Sequence, residues 1–82
     1  MVEVKLDSLF EKKFKRIKDN SLKEQIKKKI KKIVENPEIG KPMRYSRRDT
    51  REVYVGHFRL SYAYKSHENK IVFLDLYHKN EQ

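Results

Sequence analysis

Arg59 is the residue on which any chemistry of this 82-residue sequence would turn, because it rises from the middle of a segment with strand alternation. From Phe58 to Lys65, Leu60, Tyr62 and Tyr64 take one side and Arg59, Ser61 and Ala63 the other. A guanidinium on a central strand is costly unless it is paired or meets a ligand. Arg59 is therefore bound to Asp75 or Glu52, or aimed at an anion such as phosphate, and both can hold. Parity collects its neighbours. If Val53, Val55, Leu60, Tyr62, Val72, Leu74 and Leu76 face a covering layer, then Glu52, Tyr54, Arg59, Ser61, Phe73, Asp75 and Tyr77 share the open face. Lys79 joins them if the last strand continues that far.

A second basic group lies in the segment from Ile39 to Thr50. Lys41, Arg44, Arg47, Arg48 and Arg51 surround Tyr45, an arrangement that suits phosphate contact with base stacking. The same residues also read as a charged loop with one packed tyrosine. His57, His67 and His78 show no zinc-like spacing and there is no cysteine, so no metal and no small-molecule cofactor is expected. The net charge of +9, from 21 Lys+Arg against 12 Asp+Glu, favours polyanionic partners: nucleic acid, a ribosome or an acidic protein.

Three strands must position the open face. They are Arg51 to Val55, Phe58 to Lys65 and Ile71 to Tyr77, joined by turns at Gly56-His57 and Ser66 to Asn69. The third has near-continuous apolar character and reads as the most buried. Before them, Met1 to Lys5 alternates as a short strand for a sheet edge. Leu6, Leu9, Phe10, Phe14 and Ile17 then recur at helical spacing, with Asp7 or Ser8 as cap and an end near Lys18. Ser21 and Glu24 have the spacing of a capping box for a second helix, which carries Leu22, Ile26, Ile30, Ile33 and Val34 on one face and stops at Asn36-Pro37. The expected fold is α+β in one domain over residues 1–82: an N-terminal strand, and an antiparallel helix hairpin packed on one face of a mainly antiparallel sheet of about four strands. The lysines on the outer helix faces read as a solvated surface, or as a contribution to binding RNA or a ribosome. With no membrane-length apolar run and no signal-peptide core, a soluble cytoplasmic protein is expected.

The order of these parts resembles the RelE/ParE toxin superfamily over nearly the whole chain. Most specific is the glycine turn followed by aromatic-Arg-aliphatic-x-Tyr, here Gly56-His57-Phe58-Arg59-Leu60-Ser61-Tyr62, and then a last strand ending in Tyr77-His78-Lys79. The resemblance implies the toxin of a type II toxin-antitoxin pair, neutralised by a RelB-like antitoxin. In the RelE branch such a toxin enters the ribosome and cuts mRNA without metal, the RNA 2′-hydroxyl attacking the adjacent phosphate. That chemistry needs a base, cations for the developing charge and an acid for the leaving oxygen. Arg59 matches the family's phosphate-binding arginine, and Lys79 falls where a second basic residue is common. His78 or Tyr77 would serve proton transfer, although parity puts His78 opposite Arg59 unless the chain turns. The sequence also departs from the pattern: Glu52 and Tyr54 stand where active members carry lysines, and a tyrosine often found beyond the last strand has no counterpart before Gln82. Tyr54 or Tyr77 would then substitute, with charge from Lys41, Arg44 or Arg47.

Three functions follow. The first is a ribosome-dependent mRNA endonuclease. A second is a ParE-like toxin that inhibits DNA gyrase by binding, or another non-nuclease toxin of the fold. The third is a basic RNA- or partner-binding module without toxicity.

Overall fold

A computed structural model describes residues 2–42 and 49–81. The elements in chain order are β1 (Glu3–Leu6), α1 (Ser8–Arg16), α2 (Asn20–Glu35), β2 (Lys41–Pro42), β3 (Thr50–Val55), β4 (Phe58–Lys65) and β5 (Lys70–His78), with short 3-10 turns at Ser66–Glu68 and Lys79–Glu81. The two helices pack on a five-stranded sheet of order β1-β5-β4-β3-β2. Strands β2 to β5 pair antiparallel, whereas β1 runs parallel to β5 at the edge. The fifth strand is β2, which the alternation does not reveal because it has two residues, one of them Pro42. No helix among the described residues is long and apolar enough to cross a membrane.

Both helices start on aspartates. Asp7 accepts the Leu9 amide at 2.9 Å, and Asp19 accepts the amides of Ser21 and Leu22 at 2.9 and 3.2 Å. Asp19 therefore displaces the expected Ser21–Glu24 capping box. Its carboxylate satisfies two orphan amides and also meets the positive end of the helix dipole, which a serine hydroxyl does not. Ser21 becomes a first-turn residue, and Glu24 pairs at the surface with Lys27. The first helix stops at Arg16, short of Lys18, where Ile17 turns extended and its amide closes on the Phe14 carbonyl.

The hairpin between β3 and β4 turns on Gly56 and His57. Gly56 has a φ of +60°, and an added Cβ would meet nothing within 4 Å, so backbone conformation alone calls for glycine there. Across β4 and β5 the pairing is interrupted. Ser61 pairs with Asp75 but Tyr62 pairs with Phe73, leaving Leu74 as the extra residue of a bulge. That residue reverses the parity of the first half of β5. Phe73, expected on the open face, is fully buried, with its ring 5.8 Å from Phe10 and 6.0 Å from Tyr62. Val72 and Leu74, expected beneath the helices, are only half-buried.

Ile71, Phe73 and Leu76 join Phe10, Ile26 and Ile33 of the helices and Val53, Val55, Leu60 and Tyr62 in one apolar core. The most buried strand is β4 rather than β5, because it lies mid-sheet and its consecutive residues Leu60 to Ala63 are all buried. A polar latch holds the entry to the sheet. The buried Tyr62 hydroxyl donates to the Pro37 carbonyl at 2.7 Å and accepts the Gly40 amide at 2.9 Å. Burial raises the Tyr62 pKa, while the Gly40 hydrogen bond and the Arg51 charge oppose the rise.

Candidate functional site

Register places three candidate site residues in one row. Tyr54 on β3 pairs with Arg59 on β4, which pairs with Tyr77 on β5. Directly opposed residues of antiparallel strands share a face. The Arg59 guanidinium lies 4.8 Å from the centre of the Tyr54 ring, a cation-π contact that covers one side of that ring. Two residues along β3, Glu52 binds both neighbours. Its Oε1 is 3.5 Å from Arg59, and its Oε2 accepts a hydrogen bond from the Tyr77 hydroxyl. Ser61, the register partner of Glu52, is small and covered, which suits a phenol that must reach across β4 from β5 to β3.

Of the two carboxylates open to Arg59 from sequence, the structure selects Glu52. Asp75 turns instead to Lys13 on α1, 2.8 Å away, where the bulge re-aims β5 and β1 has ended. Lys41 on β2 is the register partner of Glu52 and so borders the same group. Arg51 is a structural brace rather than a member of the row. It donates to the carbonyls of Glu38 and Gly40 at 3.0 and 2.8 Å and secures the turn beside the Tyr62 latch.

His78 lies apart from the row. It is the register partner of Phe58, whose ring it meets edge-on at 5.4 Å, and its Nδ1 accepts the Asn80 amide at 3.3 Å. Lys79 does not extend the strand. It opens the final 3-10 turn, exposed, with its amide donating to the His57 carbonyl at 2.9 Å. The expected RNA-binding residues Arg44, Tyr45, Arg47 and Arg48 lie outside the described residues.

The result is a cation, a carboxylate and two phenols on one face of the sheet. A guanidinium can bind phosphate, a carboxylate can accept a proton, and a phenol hydrogen-bonded to that carboxylate can exchange one with it. Glu52 was legible as a member of the open face, yet its joint contact with Arg59 and Tyr77 depends on the cross-strand register.

A sequence model of the ParE toxin of type II toxin-antitoxin systems matches residues 4–82. The chain belongs to this toxin family. Its fold is also that of solved relatives at low identity. The Escherichia coli RelBE toxin-antitoxin complex contains a chain that superposes with a TM-score of 0.81 at 18% identity, covering 95% of this chain and 96% of that one. The RelBE2 toxin-antitoxin complex of Mycobacterium tuberculosis gives 0.78 at 19%, covering 94% and 96%. A YoeB/ParE toxin from Agrobacterium tumefaciens gives 0.81 at 11%, covering 94% and 98%. No curated protein sequence matches the chain. The toxin is thus a type II toxin of the RelE/ParE superfamily, as the glycine turn and Arg59 implied.

Proposed function

We propose that this toxin is a ribosome-dependent mRNA endonuclease whose working face is the row Tyr54–Arg59–Tyr77 with Glu52. The single observation that carries the reading is the Glu52 carboxylate held between Arg59 and Tyr77, a cation, a proton acceptor and a proton donor in mutual contact. On substrate entry Arg59 binds non-bridging phosphate oxygens and stabilises the charge that develops on them. Glu52 takes the proton of the RNA 2′-hydroxyl as that oxygen bonds to phosphorus. The bond from phosphorus to the 5′ oxygen breaks, and Tyr77 gives that oxygen its proton. Glu52 then returns a proton to Tyr77 along their hydrogen bond. The products are a 2′,3′-cyclic phosphate and a 5′-hydroxyl, and the protein ends as it began.

A cognate antitoxin is the expected protein partner. Support comes from the structural relatives crystallised as toxin-antitoxin complexes.

Two observations favour a second reading, a toxin that inhibits DNA gyrase by binding. The matching family model is that of ParE, and Arg59 is already engaged by a carboxylate. Purified toxin added in parallel to a translation reaction and to a gyrase supercoiling reaction separates the two. Loss of translation with gyrase unaffected supports the nuclease reading, and the opposite result supports the other.

A further inference from the structure

Two clefts run along the edge where α2 lies beside β3. One, of ≈ 270 Å³, is lined by Lys28, Lys29, Lys32 and Tyr54 among others. The second, of ≈ 510 Å³, holds Lys29, Lys32, Lys41, Glu52 and Tyr54. Because Lys29, Lys32 and Tyr54 line both, the clefts form one groove that opens at Glu52 onto the candidate site.

Two other lysines of the same helix, Lys23 and Lys27, are engaged within the chain. Lys23 lies over the Phe14 ring and Lys27 pairs with Glu24. Lys28, Lys29 and Lys32, in contrast, make no ion pair with any described carboxylate. Lys28 and Lys32 are one helical turn apart, about 6 Å along the axis, so they present successive charges in a line rather than a single point. Tyr54 is 56% exposed, with Arg59 against one side of its ring. Lysines in a line beside an exposed aromatic ring are what an unpaired nucleic-acid strand requires: phosphates meet the cations and a base meets the ring. An acidic peptide would engage the lysines, but charges in a line beside a single aromatic face match the repeating phosphate and base of a strand more closely.

We infer that the groove between α2 and β3 holds the single-stranded RNA adjoining the cleaved phosphate, a base stacking on Tyr54 and the following phosphates running along Lys29, Lys32 and Lys28. The inference rests on the nuclease reading for the identity of the strand. Its test does not rest on cutting.

The probe is a fluorescent single-stranded RNA carrying 2′-O-methyl groups, which removes the attacking hydroxyl, and its affinity is read by anisotropy across a series of salt concentrations. The triple variant Lys28→Gln/Lys29→Gln/Lys32→Gln is compared with Lys12→Gln/Lys15→Gln/Lys31→Gln, which removes equal charge elsewhere on the helices. Each phosphate contact on a single strand contributes about 0.7 to the slope of log affinity against log salt. The groove variant should lose about 2 from that slope and bind about tenfold or more weakly at low salt, while the control variant stays within about threefold. Tyr54→Ala should weaken binding about 5- to 100-fold through lost stacking.

Equal losses in the two triple variants would overturn the inference, as would a wild-type chain that does not bind the strand. So would a groove variant that binds the strand normally but loses affinity for ribosomes or for the antitoxin, since the lysines would then serve ribosomal RNA or an acidic protein segment. A chain that binds the strand through these lysines yet leaves ribosomal mRNA intact would uphold the groove and remove the nuclease reading.

Discussion

The Glu52 carboxylate lies 3.5 Å from the Arg59 guanidinium, on neighbouring strands and on the same face of the sheet. On the proposed nuclease reading, this contact neutralises the cation meant for phosphate while the toxin is at rest. In that proposal an entering phosphate competes with Glu52 for Arg59, and the carboxylate it displaces is the proposed acceptor of the 2′-hydroxyl proton.

Replacing Glu52 should separate binding from chemistry. Glu52→Gln keeps the shape but removes the charge, so Arg59 is left with a net positive field. A non-cleavable RNA should bind that variant about 3- to 10-fold more tightly, because a competing anion beside Arg59 is gone. Cleavage of ribosome-bound mRNA should fall by about 10²-fold or more with the proton acceptor lost. Anisotropy and single-turnover cleavage on the same preparation check both halves.

Tyr77→Phe tests the proton donor. The ring and its packing stay, and the hydroxyl that bonds Glu52 is removed. Cleavage should fall about 10²-fold, the low end of what general acid catalysis contributes, with RNA affinity within about threefold. An unchanged single-turnover rate would take Tyr77 out of the reaction.

Much of the fold was legible in the sequence because short-range signals agreed. Alternation marks β4, helical spacing marks both helices, and Gly56 marks the hairpin turn. The row Tyr54–Arg59–Tyr77 follows from parity, since β3 and β4 pair without interruption near Gly56 and Tyr77 lies on the same side of the bulge as Arg59. Two other features were hidden. The bulge at Leu74 leaves no mark in an apolar run, where Val72, Phe73 and Leu74 fit either face equally well, and it is what reverses Phe73 and sends Asp75 to Lys13. Arg51 resembles its basic neighbours until the fold brings the carbonyls of Glu38 and Gly40 to its guanidinium.

The bulge has its own test in stability. Phe73→Ala removes a fully buried ring and should cost about 3–5 kcal/mol, whereas Leu74→Ala, at the half-buried bulge position, should cost under about 2 kcal/mol. Denaturant unfolding monitored by circular dichroism measures both. A larger cost for Leu74→Ala than for Phe73→Ala would return β5 to simple alternation.

Tyr62 couples the latch to pH. Its folded pKa is raised above the ordinary tyrosine value of 10.0, so the unfolded chain releases the phenolic proton first as pH rises. The unfolded state then binds fewer protons, and stability contributed by the neutral phenol is full below about pH 10 and is lost as pH climbs through the folded value. Tyr62→Phe should cost about 1–3 kcal/mol at neutral pH, because the Gly40 amide loses its buried acceptor, and should flatten the alkaline part of the stability curve. Thermal unfolding of both proteins from pH 7 to 11 measures the difference.

Arg59 is the residue on which the proposed reaction depends most, and one measurement addresses it directly. Purified toxin and its Arg59→Ala variant are added to translation reactions with and without ribosomes, and mRNA is read by primer extension together with the chemistry of the new 3′ ends. The expected cuts require ribosomes, end in 2′,3′-cyclic phosphate, and fall about 10²- to 10³-fold in rate with Arg59→Ala, while antitoxin affinity stays within about tenfold. Intact mRNA at wild-type concentrations that still arrest growth, or equal cutting by the variant, would contradict the nuclease reading.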